Sequence, residues 1–97
     1  MKLRFTVRAT ENLVDIADYL HLHNPQAALR VRASIYEALK NLLVFPRAGR
    51  QQKTEGVRKL VTPQYAYLIY YVIDEAADEL VVLNVKHPAQ ERDHDDA

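Results

Sequence analysis

YAYLIYYVI, residues 65–73, decides how the rest of the chain must be arranged. Read with the period of two that a strand imposes, both of its faces are apolar, so it must be covered on both sides. That makes Tyr65 to Ile73 a central strand. The chain on either side agrees with this reading. Downstream, DEAADE is a charged hairpin connection and LVVLNV, Leu80 to Val85, is the next strand. Upstream, Val57 to Val61 is a candidate short strand, preceded by a polar, irregular stretch from Pro46 to about Glu55. Gly49 and Gly56 are the only glycines in the chain.

Further upstream the apolar period changes to that of a helix. Ala28, Val31, Ile35, Leu39 and Leu42 recur at spacings of three and four, Leu43 widens the stripe, and Pro46 stops the pattern after Phe45. Asn24-Pro25 is a strong start signal, because an Asn side chain accepts orphan amide hydrogens and proline's fixed φ suits the first helical position. Leu13, Ile16, Ala17 and Leu20 form a second stripe, which predicts a helix capped by Thr10 and running to about His21. A short loop makes the two helices a hairpin. At the N-terminus, KLRFTV alternates as a half-buried strand, with Leu3, Phe5 and Val7 to one side.

The order strand, helix, helix, strand, strand, strand is that of an α+β fold, with a helical hairpin packed on one face of an antiparallel sheet. Ninety-seven residues fit one domain, here residues 1–92, followed by a mobile acidic tail at 93–97. Hydrophobic residues are 48% of the chain against 27% charged, the balance of a folded rather than a disordered protein. The absence of cysteine removes disulfides and thiolate chemistry and fits a reducing compartment. No apolar run is long enough for a signal peptide or a membrane span, so a cytoplasmic protein with no membrane partner is expected.

Thirteen basic and thirteen acidic residues cancel, which gives bulk charge no role in binding nucleic acid. Their distribution is uneven. Residues 1–45 carry six Lys/Arg and four Asp/Glu (+2), residues 46–64 five and one (+4), and residues 65–97 two and eight (−6). The segment that opens with FPRAGR, residues 45–50, is the basic part of the chain.

NLVDIADYL, NPQAALRVRASIYEAL, FPRAGR, GVRKL, YAYLIYYVID and LVVLNVKHPAQERD, in that order after an alternating strand, resemble the RelE/ParE superfamily of type II toxin–antitoxin toxins. The resemblance spans residues 3–92, and FPRAGR with the histidine-bearing end of the last strand is most similar to the ParE-like branch. It implies a growth-inhibiting toxin in a hetero-oligomer with a cognate antitoxin, ribbon-helix-helix and ParD-like in this branch. DNA gyrase is the implied target, and no cofactor is implied. The alternative is a RelE-like, ribosome-dependent, metal-independent endoribonuclease acting on messenger RNA.

Such a nuclease needs a base for the 2′-hydroxyl, cations for the developing phosphorane charge and an acid for the leaving oxygen. The resemblance places His87, Arg92 and Arg58 in those roles. Nuclease members, however, usually carry an arginine just after the first aromatics of the central strand. Here that stretch is Tyr65-Ala66-Tyr67-Leu68, and no tyrosine follows Tyr71. These departures favour a binding toxin over an enzyme. Arg47, Arg50, Lys53, Arg58, Lys59, His87 and Arg92 are then the candidate partner- and target-binding residues.

Each has a structural reading beside the functional one. Arg47 and Arg50 suit the carbonyl end of the second helix as well as they suit a basic rim. Arg58 and Lys59 alternate across a short strand, and a histidine at a strand end is commonly a surface residue. Phe45 is expected to anchor the helix end in the core. The tyrosines of the central strand are expected to pack in the core with their hydroxyls at its rim. His21 and His23, at i and i+2, do not share a helical face, so no metal site is expected.

Overall fold

The computed structural model describes residues 1–89; the acidic tail and Arg92 lie outside them. The elements run β1 (Lys2–Phe5), α1 (Val7–His23), α2 (Pro25–Val44), β2 (Arg50–Gln51), β3 (Arg58–Val61), β4 (Leu68–Asp74) and β5 (Glu79–Lys86). The sheet order is β1-β5-β4-β3-β2. Neighbours from β2 to β5 are antiparallel, and β1 joins the far edge parallel to β5. The expected α+β architecture is present, with the helical hairpin on one face.

β4 is buried on both faces. Tyr67, Ile69 and Tyr71 join Val31, Ile35, Leu39 and Leu42 of α2 and Leu80, Val82 and Val85 of β5 in the core under the helices. On the opposite face, Leu68 and Tyr70 pack with Val57, Val72 and Leu83. β4 begins three residues later than the apolar pattern predicts, because Tyr65 and Ala66 take left-handed φ values of 67° and 53° and form a turn. Buried Thr62 ties that turn, its hydroxyl donating to the Gln64 carbonyl (2.6 Å) and accepting from the Tyr67 amide (3.0 Å). The two-residue β2 lies inside the stretch expected to be irregular, where it pairs Arg50 with Lys59 and Gln51 with Arg58.

Asn24 caps α2 as expected, its Oδ1 accepting from the Ala27 amide with Pro25 next in line. The cap of α1 is Thr6, not Thr10: the helix starts directly after β1, and Thr6 Oγ1 accepts from the Ala9 amide. The same hydroxyl donates to the Leu83 carbonyl (2.8 Å), where the β4–β5 register shifts and Leu83 is the extra residue. Asn12 Oδ1 accepts from the Val85 amide (3.0 Å) two residues on. Thus Thr6 and α1 satisfy backbone groups of β5 past Val82, where its pairing with β1 ends, which ties the hairpin to β5.

Candidate functional site

FPRAGR follows the last turn of α2 and leads into β2. The Phe45 amide donates to the Asn41 carbonyl (2.8 Å), and the Phe45 carbonyl accepts from the Ala48 amide (3.0 Å), so the helix end is closed by its own loop. Tyr71, fully buried, reaches this loop from β4. Its hydroxyl donates to the Pro46 carbonyl (2.6 Å) and accepts from the Gly49 amide (2.9 Å). Burial pushes the Tyr71 phenol above its ordinary value of 10.0, against smaller opposing effects of the Gly49 amide and the Arg58 charge. It therefore keeps the proton it donates.

Gly49 permits this approach. A Cβ there would lie 2.6 Å from the Tyr71 hydroxyl oxygen and 2.7 Å from Cε1, so no larger residue fits without displacing the ring. From the other side Arg58 Nη1 donates to the Gly49 carbonyl (2.8 Å) and the Arg47 carbonyl (3.2 Å). A phenol and a guanidinium thus hold four backbone groups of one short loop. The sequence placed Arg58 in a basic rim but held no sign of Tyr71 beneath it, because contacts between residues 22 positions apart leave no periodic pattern.

The remaining candidates fall into separate groups. Arg47 is exposed and pairs with exposed Glu75 (3.3 Å). Arg50 and Lys59 are register partners between β2 and β3, and exposed Lys53 lies in the turn that follows β2. These residues share one end of the sheet with Arg58. His87 lies elsewhere: its ring meets Tyr67 edge-on at 5.5 Å, and its Nδ1 accepts from the Ala89 amide. Arg58 is opposite Tyr71 on β4, whereas Lys86 is opposite Leu68, on the other side of that strand. Three residues of β4 and two strand spacings each amount to roughly 10 Å, so the Arg58 and His87 backbones do not converge.

Phe45 does not anchor the helix end. It is 67% exposed, as is Val44, and the aromatic that reaches the loop from the core is Tyr71. Sequence reasoning also passed over Lys86, which lies over the Tyr70 ring at 5.2 Å and whose ammonium is shifted down by burial and then by Arg8.

A second feature is apolar. Between α1 and α2 runs a groove of about 420 Å³, floored by Phe5 and Ile35 and walled by Leu13, Val14, Leu29 and Tyr36, with Arg32 at its margin. Val14, Leu29 and Tyr36 are all exposed. Among the described residues, no helix is long and apolar enough to cross a membrane.

Residues 3–92 match the family model described as the ParE toxin of type II toxin–antitoxin system, parDE. A curated Sinorhizobium fredii protein named "Putative toxin Y4kP" is 34% identical over 83 residues, 86% of each chain. A solved structure from the chromosomal ParDE system of P. aeruginosa superposes with a TM-score of 0.74 at 28% identity, covering 90% of this chain and 95% of that one. The toxin–antitoxin complex RelBE from E. coli contains a chain of the same fold, with a TM-score of 0.66 at 20% identity over 88% of this chain and 93% of that one.

Proposed function

The chain belongs to the ParE toxin family of type II toxin–antitoxin systems, and on that footing we propose that it arrests growth by binding DNA gyrase, without catalysis. It is the toxin component of such a module and has a cognate antitoxin. In our reading a ribbon-helix-helix antitoxin neutralises it by laying an apolar segment into the α1–α2 groove. Exposed Val14, Leu29 and Tyr36 above a continuous apolar floor support this, since a face of that kind in water calls for an apolar cover.

The observation that carries the non-catalytic reading is the engagement of Arg58. A nuclease on this fold needs a guanidinium directed at a scissile phosphate, and here Arg58 is directed at the Arg47 and Gly49 carbonyls. His87, the candidate base or acid, stands beside Tyr67 instead of beside the basic rim. The separation weighs against general acid–base work, which needs its partners within hydrogen-bond reach of one substrate.

Inducible expression of the wild type beside a His87→Ala/Arg92→Ala double variant, with growth and transcript ends recorded together, tests the proposal. Arrest by both forms with intact transcripts, and loss of gyrase supercoiling in vitro, is the expected result. New in-frame transcript ends that the double variant lacks would overturn it in favour of ribosome-dependent cleavage.

A further inference from the structure

Val44, Phe45 and Arg47 form a tip that is exposed and yet held from beneath. Flexible surface loops commonly bury such apolar side chains or leave them mobile. Here the Tyr71 hydroxyl and the Arg58 guanidinium fix the backbone at Pro46, Arg47 and Gly49, while Val44 and Phe45 are each 67% exposed. An apolar side chain carried on a backbone that is already fixed requires less ordering of the chain when a partner covers it, which is a property of an interface anchor. Cations border the tip. Arg47 is next to Phe45, its pairing with Glu75 is between two exposed groups and therefore exchangeable, and Arg50 and Lys53 follow in the same segment.

We propose that this tip is the toxin's contact with its target protein: Phe45 and Val44 enter an apolar pocket whose rim carries carboxylates that Arg47 meets. The inference rests on the reading above that the chain acts by binding a protein, and it names the surface that does so. Charge complementarity selects the partner, because the segment that follows the ring, residues 46–55, carries Arg47, Arg50 and Lys53 against the single acid Glu55. An aliphatic side chain beside the ring favours a protein pocket over a nucleic-acid base, since Val44 offers no face for stacking. The tip lies beyond the groove, whose α2 wall ends at Leu39, so target and antitoxin need not compete for the same residues.

The test measures binding of the purified full chain to gyrase for the wild type, Phe45→Ala and Arg47→Glu, with thermal melting and sedimentation on each. At least tenfold weaker binding by both variants, with unchanged melting, is expected. Wild-type binding that both variants retain would overturn the tip's role and leave the gyrase proposal standing. No binding by the wild type would remove that proposal and the tip's role with it. A wild-type dimer that Phe45→Ala converts to monomer would reassign the tip to a contact between copies of this chain.

Discussion

Replacing Tyr71 with Phe isolates the hydroxyl that holds the FPRAGR loop. The ring stays, so its packing against Ile69, Leu42 and Val82 is kept and no cavity larger than one oxygen opens. What goes is the donor to the Pro46 carbonyl and the acceptor for the Gly49 amide. The carbonyl belongs to a half-buried residue that water can reach, whereas Gly49 is buried. An orphaned buried donor costs about 1–3 kcal/mol, and a hydrogen bond replaced by water costs less, which together give about 2 kcal/mol. For a domain of this size that corresponds to a fall in Tm of roughly 8–16 °C.

Urea denaturation followed by tyrosine fluorescence and far-ultraviolet dichroism measures this directly. A loss below about 0.5 kcal/mol, within the range of ordinary surface substitutions, would refute the claim that Tyr71 braces the loop. Gly49→Ala approaches the same contact from the opposite side. Its Cβ, 2.6 Å from the hydroxyl and 2.7 Å from Cε1, forces the ring or the loop to move, an overpacking cost of about 1–3 kcal/mol. Each single variant breaks the Gly49–Tyr71 hydrogen bond, so the double variant should lose less than the two single losses combined. Full additivity would mean that the contact does not couple them.

The pH dependence should carry the signature of the same phenol. Burial raises the Tyr71 and Tyr67 values above 10.0, so their stabilisation is complete below the unfolded value of 10.0 and is lost as pH rises past it. Lys86, lowered from 10.5, acts in the opposite sense, its contribution growing as pH rises towards 10.5. The difference between wild type and Tyr71→Phe removes both other groups and should shrink above pH 10; a constant difference in denaturant titrations across that range would contradict it. In the groove, Leu29→Asp should leave the melting temperature nearly unchanged, because Leu29 is 68% exposed, but should abolish antitoxin rescue in a co-expression growth assay. Full rescue would move the antitoxin away from α1 and α2.

Local chemistry explains why most of the fold could be read from the chain. The α2 stripe, the Asn24-Pro25 start and the two-faced apolarity of β4 are each written in neighbouring residues, and each took its expected place. The departures occur where a distant residue intervenes. Thr6 replaced Thr10 as cap because β1 delivers the chain straight into α1, and Thr6 is also required at the Leu83 bulge on β5. Tyr65 and Ala66 left the strand because Thr62 closes a turn over them, which the strand-favouring tyrosines on either side of Ala66 do not announce.

The site was less legible for a related reason: the same residue types serve display and support. Arg47, Arg50 and Arg58 look alike in a basic segment, yet Arg47 is exposed beside Glu75 while Arg58 turns inward to two carbonyls. Only the strand register separates them, since Arg58 stands opposite Tyr71 and next to the loop that Tyr71 already holds. Phe45, at the start of the same loop, also departs from its expected place. An aromatic at a helix end is expected to turn into the core, but here Tyr71 is the buried aromatic that meets the loop, and Phe45 is exposed. The loop thus joins a buried tyrosine that holds its backbone to an exposed phenylalanine at its start, which puts a large apolar group where a partner protein can reach it.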